Sequence, residues 1–521
     1  MKEFNVTGLC IPEKHYMVDI SGKLATIREM VGKGDYFAIN RARQYGKTTT
    51  LFLLEKMLQE EYFVVSISFE GLGEESFASS AAFCRAFMGK VHRALRFTKA
   101  SDAYRESWLN RDVVDFDGLG DHITHMAGNK KIVLMIDEVD KTSNNKTFLN
   151  FLGLLRDKYL ERAKSKDYTF HSVILAGVYD VRNIKQKLLN EGLSAPKTAE
   201  TQIYNSPWNI AADFEVDLSF NPQEIATMLA EYEADHNTGM DVPQLASAIH
   251  NYTGGYPFLV SRVCQCLDRK LNKDWTIPGV QEAVRLILRE KNTLFDDLIK
   301  NLENDQVLHN FLYDLLFVGK DYEFNIYNPL IGLGHTFGFL EKGACNKTVV
   351  SNKIFEILLY DYFILKETLH KRRITGVLQR DVVEGGRFDM ELCLNKFAEH
   401  YAEIFSERDA GFIEREGRLL FLSYLKPLLN GQGFYRIESQ FTDLRQMDIV
   451  VDFAQGQFII ELKLWKGEAE HQNAYTQLAG YLDRKGAKTG YLLTFDFRKG
   501  KRQPSAAWVD FSGKQIFDVI V

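Results

Sequence analysis

The segment RARQYGKTTTLFLLEKML, residues 41–58, decides the fold of the first part of this chain. It follows the short apolar run YFAIN (36–40) and passes from a polar loop into a helical pattern. Gly46, Lys47 and Thr48 match the second half of a phosphate-binding loop. Such a loop needs backbone N–H groups at a helix N-terminus, a lysine for the terminal phosphates and a hydroxyl for Mg²⁺. The segment therefore predicts an α/β core with a nucleotide site.

The first half of the loop departs from the usual pattern, because Arg41 stands where the first glycine is expected. This difference affects the conformation of the loop, whereas the chemistry of Lys47 and Thr48 is retained. The residues expected to contact a nucleotide are Arg41, Arg43, Gln44, Tyr45, Gly46, Lys47, Thr48 and Thr49.

A second apolar run, KKIVLMIDEVDK (130–141), supplies the acids that such a site requires. A continuous apolar run is typical of a buried parallel strand, and this one ends in Asp137 and Glu138. We expect Asp137 to hold Mg²⁺ together with Thr48, and Glu138 to orient the attacking water. The alternative is a glycine turn and an unrelated strand with exposed acids. A further strand, HSVILAGVYDVRNI (171–184), ends in candidates for sensing the terminal phosphate or for capping, which are Asp180, Arg182 and Asn183.

Near the C-terminus, RQMDIVVDF (445–453) and FIIELKLW (458–465) predict a β-hairpin with its turn at Gln455 and Gly456. Pairing Phe453 with Phe458 would place Asp448 opposite Lys463, with Glu461 on the adjacent diagonal. Because side chains alternate along a strand, the three charged groups would share one face, and the other face would be a hydrophobic core.

These charged groups have the chemistry of phosphodiester hydrolysis. Asp448 and Glu461 offer the oxygen ligands that Mg²⁺, or Mn²⁺ in its place, prefers. Lys463 could stabilise developing negative charge. Gln477 and Tyr481 lie four residues apart on a predicted helix and so share a face next to this site. The alternative is a solvated hairpin face with no catalytic role.

The D…ExK hairpin resembles the PD-(D/E)xK nuclease superfamily, and QLAGY is similar to the QxxxY element of its RecB-type members. This resemblance implies one more acidic residue, with Glu416 the better candidate and Glu438 the competitor. TGGYP (253–257) resembles the lid motif of STAND and archaeal-type AAA+ ATPases, which implies that Pro257 approaches the nucleotide.

The order of the pieces resembles a bacterial family that fuses an AAA-ATPase-like domain to a C-terminal PD-(D/E)xK nuclease domain. The segments that carry the match are IPEKHYMVDIS, RARQYGKTTT, VLMIDEVDK, SPWNIA, TGGYP, RQMDIVV, IIELKLWKG, QLAGYLD and GYLLTFDFRK. The resemblance implies ATP and Mg²⁺ as cofactors. It also implies an α/β fold with a P-loop (AAA+/STAND-like) three-layer core at 1–220 and a restriction-endonuclease-like domain at 376–521. Between them, helical periodicity predicts a helical lid at 221–291, and a strand–turn–strand–helix pattern predicts a winged-helix-like region and linker at 292–375.

Composition places few further limits on function. The 521 residues have a net charge of −6, which argues against a general polyanion-binding surface. A local patch remains a candidate nucleic-acid surface, with DNA favoured over RNA, although such runs are often only solvated. Its basic residues are Arg484, Lys485, Lys488, Arg498, Lys499, Lys501 and Arg502, with Phe495, Phe497 and Trp508 interleaved or following.

No segment has the length of a membrane span or the pattern of a signal peptide, so we expect a cytoplasmic protein. The six cysteines lack zinc-site spacing. A homo-oligomer is possible, because AAA-type sites often borrow an arginine from a neighbour. Two function classes stay open. One is an ATP-controlled nuclease; the other is a nucleotide-gated switch or interaction protein whose nuclease fold only binds nucleic acid.

Overall fold

The computed structural model describes residues 2–109, 112–139, 146–178, 208, 210–318, 322–370, 382–384, 387–404, 414–429, 433–439, 447–453, 456–496 and 504–521. They form two compact units. The first comprises Met1–Ile287, Lys291–Asn301 and Ile326–Leu340, and the second comprises Leu288–Glu290, Leu302–Asn325 and Glu341–Val521. The two units thus divide the region 292–375, for which the sequence predicted a single middle domain.

The first unit is built on a four-stranded parallel sheet with the order β1-β4-β3-β2. The strands are β1 Tyr36–Asn40, β2 Phe63–Ser68, β3 Ile132–Asp137 and β4 Ser172–Gly177. Every residue of β3 and β4 is buried, as their continuous apolar runs predicted. Because all four strands are parallel, their carboxyl ends share one edge of the sheet, so the loop after β1 lies at the same edge as Asp137 and Glu138.

Apolar side chains are buried on both faces of this parallel sheet, which confirms the predicted α/β core. One face packs Tyr36, Val65 and Leu134 against apolar residues of α3, α5 and α6. Phe37 and Val133 point to the opposite face and are fully buried as well. The helices up to this point are α1 Ser21–Lys33, α2 Lys47–Leu58, α3 Ser80–Leu95, α4 Asp102–Ser107, α5 Phe116–Ala127 and α6 Lys146–Ala163.

A run of helices follows the sheet. The first of them begins with a capping box, in which the Asn221 side chain accepts from the Glu224 N–H and the Glu224 carboxylate accepts from the Asn221 N–H. Pro222 occupies the first turn, where its missing N–H costs nothing. The helices are α7 Pro222–His236, α8 Val242–Thr253, α9 Pro257–Lys270, α10 Ile277–Arg289, α11 Thr293–Asn304, α12 Gln306–Tyr313 and α13 Pro329–Thr336.

The second unit contains a six-stranded mixed sheet with the order β13-β14-β12-β11-β10-β9. Strands β11, β12 and β14 are mutually parallel, and the other pairs are antiparallel. Besides α12, the elements of this unit are β5 Leu340–Lys342, β6 Thr348–Val350, α14 Lys353–His370, β7 Val383–Glu384, β8 Arg387–Phe388, α15 Met390–Ile404, α16 Glu414–Leu429, β9 Phe434–Ser439, β10 Met447–Phe453, β11 Gly456–Leu464, α17 Glu468–Lys485, β12 Thr489–Phe495, β13 Ser505–Phe511 and β14 Lys514–Ile520.

The register predicted for the β10–β11 hairpin is wrong by two residues. Phe453 pairs with Gly456, and Phe458 pairs with Val451. The connection is therefore two residues, 454–455, which is the commonest hairpin length, and these residues lie outside the described part of the chain. Gly456 is already in β11, with a φ of 144° that favours glycine. A shift of two residues keeps every side chain on its predicted face, because the side-chain period of a strand is two.

Both faces of this hairpin are covered, whereas the sequence predicted a single hydrophobic face. Val450 and Ile459 pack against Leu478 and Tyr481 of α17. On the opposite face Ile460 and Leu462 are buried too. Throughout the described part of the chain, every helix is too short or too polar to cross a lipid bilayer.

Candidate functional site

The loop after β1 leads directly into the N-terminus of α2. Gly46 immediately precedes the helix with a φ of 79°, and Gln44 has a φ of 56°. The first N–H groups of a helix have no partner within it, so this end can bind anions. A Cβ atom on Gly46 would lie 3.8 Å from the Pro257 ring, so the start of α9 closely approaches the loop.

Lys47 lies beneath the loop. Its side chain is buried, and its Nζ donates to the carbonyl oxygens of Arg41 at 2.9 Å and Ala42 at 3.0 Å. These carbonyls keep a positive charge inside the loop, where phosphate oxygens can act as further acceptors. The contact of Lys47 with the terminal phosphates stays a prediction.

Thr48 and Asp137 meet although 89 positions separate them in the sequence. The Thr48 Oγ1 donates to Asp137 Oδ2 at 2.7 Å, and Asp137 Oδ1 accepts from the Glu138 N–H at 2.9 Å. The Asp137 side chain is buried. A hydroxyl beside a carboxylate is an oxygen donor set that suits Mg²⁺. The two residues therefore fit the metal that the sequence predicted.

A cavity of about 310 Å³ opens on one side of the loop. We call it the apolar cavity. Its lining is mostly apolar and combines the loop with the N-terminal segment, with Phe220 before α7 and with the start of α9. Burial raises the pKa of the Cys10 thiol in its wall, which is consistent with a poorly hydrated surface. The residues most relevant here are Asn5, Cys10, Tyr45, Gly46, Phe220 and Pro257.

A second cavity of about 220 Å³, which we call the polar cavity, opens at the first residues of the loop. Ala42 and Arg43 line it together with Glu138, so the acid predicted to orient water faces this space. Val178, directly after β4, and Tyr256 complete the sheet side. Helix α11 provides the opposite wall with Leu294, Asp297, Leu298, Lys300 and Asn301.

Arg41 has a bracing position. Its guanidinium donates to the carbonyl oxygens of Asn40 at 2.8 Å and Val216 at 2.9 Å. It lines neither of the two cavities. The structure therefore places the Arg41 side chain where it supports the loop.

The remaining loop residues contact parts of the chain that the sequence did not connect with them. Arg43 pairs with Asp297 of α11, and the Gln44 side chain donates to the Thr293 hydroxyl. The ring of Tyr45 lies 4.7 Å from that of Tyr256, edge to face. The Thr49 Oγ1 accepts from the Cys10 N–H at 3.2 Å.

Sequence reasoning missed two walls of this site: the N-terminal segment and α11. The segment IPEKHYMVDIS is one of those that carry the family resemblance, but the sequence predicts no role for it. A shared segment that lies outside the core strands was the signal that could have identified this wall. For α11 the amphipathic pattern indicates a buried face but not the element it packs against.

In the second unit, Glu461 and Lys463 form an ion pair at 3.0 Å. The Glu461 side chain is 1% exposed and that of Lys463 is 14% exposed. Both point to the face that α17 covers, because Ile459 on the same face packs against Tyr481. Gln477, one turn before Tyr481, is half-buried. The two strand residues and the two helix residues therefore belong to one side of the sheet, as predicted.

The corrected register aligns three acidic positions in a row across adjacent strands. The pair Ile449 with Ile460 makes positions 448 and 461 the next neighbours, and position 448 pairs with 438. The side chains of Asp448, Glu438 and Glu416 lie outside the described residues. Among the described ones, no three acidic, histidine or cysteine side chains are grouped as metal ligands.

A polar cluster that the sequence did not predict fastens α17 to the sheet. The Tyr475 hydroxyl donates to Asp518 at 2.7 Å, and His471 Nε2 lies 2.9 Å from the same carboxylate. Burial, followed by the bond to Asp518, raises the pKa of Tyr475. Thr494, which lies 3.5 Å from His471 Nδ1, pairs with Lys463 in the sheet. The cluster therefore fixes the start of α17 beside the Glu461–Lys463 pair.

Part of the predicted basic patch lies at the end of α17. The charged groups of Arg484 and Lys485 both lie 5.5 Å from the centre of the Tyr481 ring. Trp508 is 42% exposed, but Phe495 is fully buried in β12, so its predicted contribution to a nucleic-acid surface is wrong. Several predicted residues lie outside the described part of the chain: Asp180, Arg182, Asn183, Phe497, Arg498, Lys499, Lys501 and Arg502.

Comparison with known proteins assigns the first part of the chain. Residues 12–279 match the AAA-like domain family. An uncharacterised WD repeat-containing protein of Synechocystis sp. is 23% identical over 288 residues, which are 53% of this chain and 22% of that protein. The chain thus spans about a fifth of that relative's length.

Two solved structures match this chain at low identity. A Walker-type ATPase of Pyrococcus abyssi has a TM-score of 0.44 and 13% identity, covering 68% of this chain and 99% of its own. The ORC2 protein of Aeropyrum pernix, solved in ADPNP–ADP complexes, has a TM-score of 0.35 and 12% identity, covering 70% of this chain and 98% of its own.

Proposed function

Because this chain belongs to the AAA-like domain family, we propose that its first unit binds and hydrolyses ATP with Mg²⁺. The observation that carries the proposal is the contact between Thr48 and Asp137, with Lys47 buried beneath the same loop. A hydroxyl, a carboxylate and an ammonium from two distant segments meet at a helix N-terminus, as the chemistry of a nucleoside triphosphate requires.

Each group of residues has a separate role in the proposed nucleotide site. The N-terminus of α2 and Lys47 bind the phosphates, and Thr48 with Asp137 holds Mg²⁺, which neutralises charge on the terminal phosphates. The apolar cavity accepts the base. Glu138 lines the polar cavity and orients the water that attacks the terminal phosphate.

Replacing Lys47 tests the nucleotide site. We expect Lys47→Ala to weaken ATP binding by roughly tenfold or more, since a charge-assisted contact to phosphate is lost. Titration with a fluorescent ATP analogue measures the affinity. Lys56→Ala is the matched control, because Lys56 lies on the same helix with a half-exposed side chain. Unchanged affinity in Lys47→Ala would mean that the phosphates bind elsewhere.

We propose further that the second unit is a metal-dependent nuclease, with DNA the favoured substrate, and that the nucleotide state of the first unit controls cleavage. The supporting observation is the buried pair of Glu461 and Lys463 on a strand whose position 461 neighbours position 448. A carboxylate this deeply buried is costly unless it has a partner or a metal to bind.

In this proposal Asp448 and Glu461 hold the metal, and Lys463 stabilises the charge that develops on the scissile phosphate. When bound, the metal polarises the phosphate and lowers the pKa of a bound water. Gln477 and Tyr481 position the substrate backbone from α17. Glu416 stays a candidate fourth acidic residue, and Glu438 gains support because its position pairs with 448.

The nuclease assignment is tested by cleavage of plasmid and single-stranded DNA in Mg²⁺ or Mn²⁺, with and without ATP. We expect Asp448→Ala and Glu461→Ala to abolish cleavage while ATP affinity stays unchanged. Glu470→Ala, an exposed acid on α17, serves as the control. Full activity in either site variant would remove the nuclease assignment. DNA binding by the wild-type chain with no cleavage would support the alternative, a nucleotide-gated protein that only binds nucleic acid.

A further inference from the structure

Two consecutive residues of the phosphate-binding loop are held by helix α11. Arg43 Nη1 lies 3.0 Å from Asp297 Oδ2, and Gln44 Nε2 donates to the Thr293 Oγ1 at 3.1 Å. The Tyr256 hydroxyl, at the start of α9, donates to the carbonyl of Arg43. Burial raises the pKa of Tyr256 well above its ordinary value, so this hydroxyl remains a donor. The loop is thus tied to α11 through its side chains and to α9 through its backbone.

The ion pair between Arg43 and Asp297 of α11 can be replaced by another interaction of Arg43 at a low cost in free energy. The side chain of Arg43 is 69% exposed and that of Asp297 is 36% exposed. Ion pairs in such hydrated surroundings contribute little to stability by themselves. A stronger acceptor that approaches the guanidinium would therefore separate the pair without unfolding either element.

Such an acceptor belongs in the polar cavity. Arg43 and Asp297 line it together with Glu138, and Glu138 directly follows the Asp137 that contacts Thr48. In a phosphate-binding loop the terminal phosphate lies between the lysine and these acids. The Arg43 guanidinium therefore faces the end of the site where a triphosphate differs from a diphosphate.

We propose that Asp297 and the terminal phosphate of the nucleotide compete for Arg43, so that α11 registers whether a triphosphate is bound. This inference rests on the proposed nucleotide binding. A terminal phosphate offers several charged oxygens in the geometry that suits a guanidinium fork, so it displaces the single carboxylate. A diphosphate does not reach Arg43 and leaves the pair with Asp297 in place. Release of Asp297 then loosens α11 from the loop only in the triphosphate state.

The affinities of ADP and of a non-hydrolysable ATP analogue, measured by calorimetry on the full chain, test this competition. Asp297→Asn removes the competing charge, so the analogue should bind roughly fivefold more tightly while ADP affinity stays the same. Asp296→Asn is the matched control, because it removes the same charge from the exposed neighbouring position of α11 and should change neither affinity by more than about twofold. Arg43→Ala should weaken binding of the analogue alone.

The double variant Arg43→Ala/Asp297→Asn should match Arg43→Ala, because Asp297 acts through Arg43. The competition is overturned if Asp297→Asn alters both nucleotides equally, alters neither, or still tightens analogue binding when Arg43 is absent. If the wild-type chain binds neither nucleotide, the proposed function itself fails, which is a different result from those three.

Discussion

Glu461 and Lys463 show how much a single pair of residues can matter to the second unit. The carboxylate is almost completely buried, and removing a charge from water is costly unless its partner compensates. The two side chains lie next to each other on one face of β11, and helix α17 covers that face. Stability and the proposed chemistry therefore depend on the same two side chains.

We expect Lys463→Met to destabilise the second unit by about 3 kcal/mol, because the Glu461 charge loses its partner while staying buried. The double variant Glu461→Gln/Lys463→Met should recover part of that loss, since no charge then remains. Denaturant dependence of hydrogen exchange in peptides from β11 measures both. Equal stability of Lys463→Met and the wild type would show that the pair contributes nothing net.

At the scale of single residues, the sequence predicted which side chains share a face of the β10–β11 hairpin but not which residues lie opposite each other in its two strands. The spacing of Glu461 and Lys463 along one strand sufficed for the first. The register depends on the length of the turn, and the single glycine cue at Gly456 was assigned to the turn although it lies in β11. Thr48 and Asp137 were paired correctly because the chemistry of a triphosphate site demands both.

Among the elements, the turn before α9 is tightly constrained by sterics. Gly255 has a φ of 72°, and a Cβ atom there would lie 2.1 Å from the carbonyl oxygen of Phe220. The Phe220 N–H in turn donates to the Gly255 carbonyl at 2.8 Å. The turn therefore holds the residue before α7 against the start of α9, and both Phe220 and Pro257 line the apolar cavity.

Gly255→Ala should displace Phe220 and thereby weaken both thermal stability and ATP affinity. Gly239→Ala is the matched control, because Gly239 has a φ of 77° with no atom within 4 Å of its Cβ position. The control should cost only the strain of a left-handed alanine, about 1 kcal/mol, and leave ATP affinity unchanged. Thermal unfolding and nucleotide titration separate the two effects; identical behaviour of the variants would contradict the close contact.

The starts of several helices were predictable, since Asn221 and Pro222 signal the N-terminus of α7 directly. The contacts of α11 were not predictable, because an amphipathic pattern indicates how much of a helix is buried but not which loop the helix contacts. Arg43 and Asp297 are 254 positions apart, and no local pattern links them.

At the scale of the whole molecule, pH affects the first unit through its histidines. Burial lowers the pKa of four of them below the ordinary value of about 6.5. For two of them, a neighbouring arginine lowers the pKa further, Arg162 for one and Arg41 for the other. The four histidines are His122, His171, His250 and His335. As the pH falls below about 6.5, the unfolded chain binds protons that the folded unit does not.

The first unit should therefore lose stability on acidification from pH 7 to pH 5.5, because the depressed pKa values penalise protonation of the folded state. Thermal unfolding across this range, followed in peptides of the first unit, measures the slope. We expect His335→Gln to reduce the slope, with the largest difference from the wild type at the acidic end. An identical slope would assign the effect to other groups.

The C-terminal α/β domain was expected from the family resemblance, and the buried strands of the first sheet and the helices after it followed from hydrophobic periodicity. The division into units did not, because residues 293–301 belong with the first unit through tertiary contacts such as Arg43 with Asp297. The predicted boundary between 291 and 292 placed these residues in a separate middle region.

One wall of the apolar cavity is made by the earliest residues of the chain, from Asn5 onward. Phe4 anchors them by packing 5.1 Å from the ring of Tyr232 on α7. A bulky label or a substitution among these residues would therefore act on the pocket itself and distort any affinity measured for a small molecule.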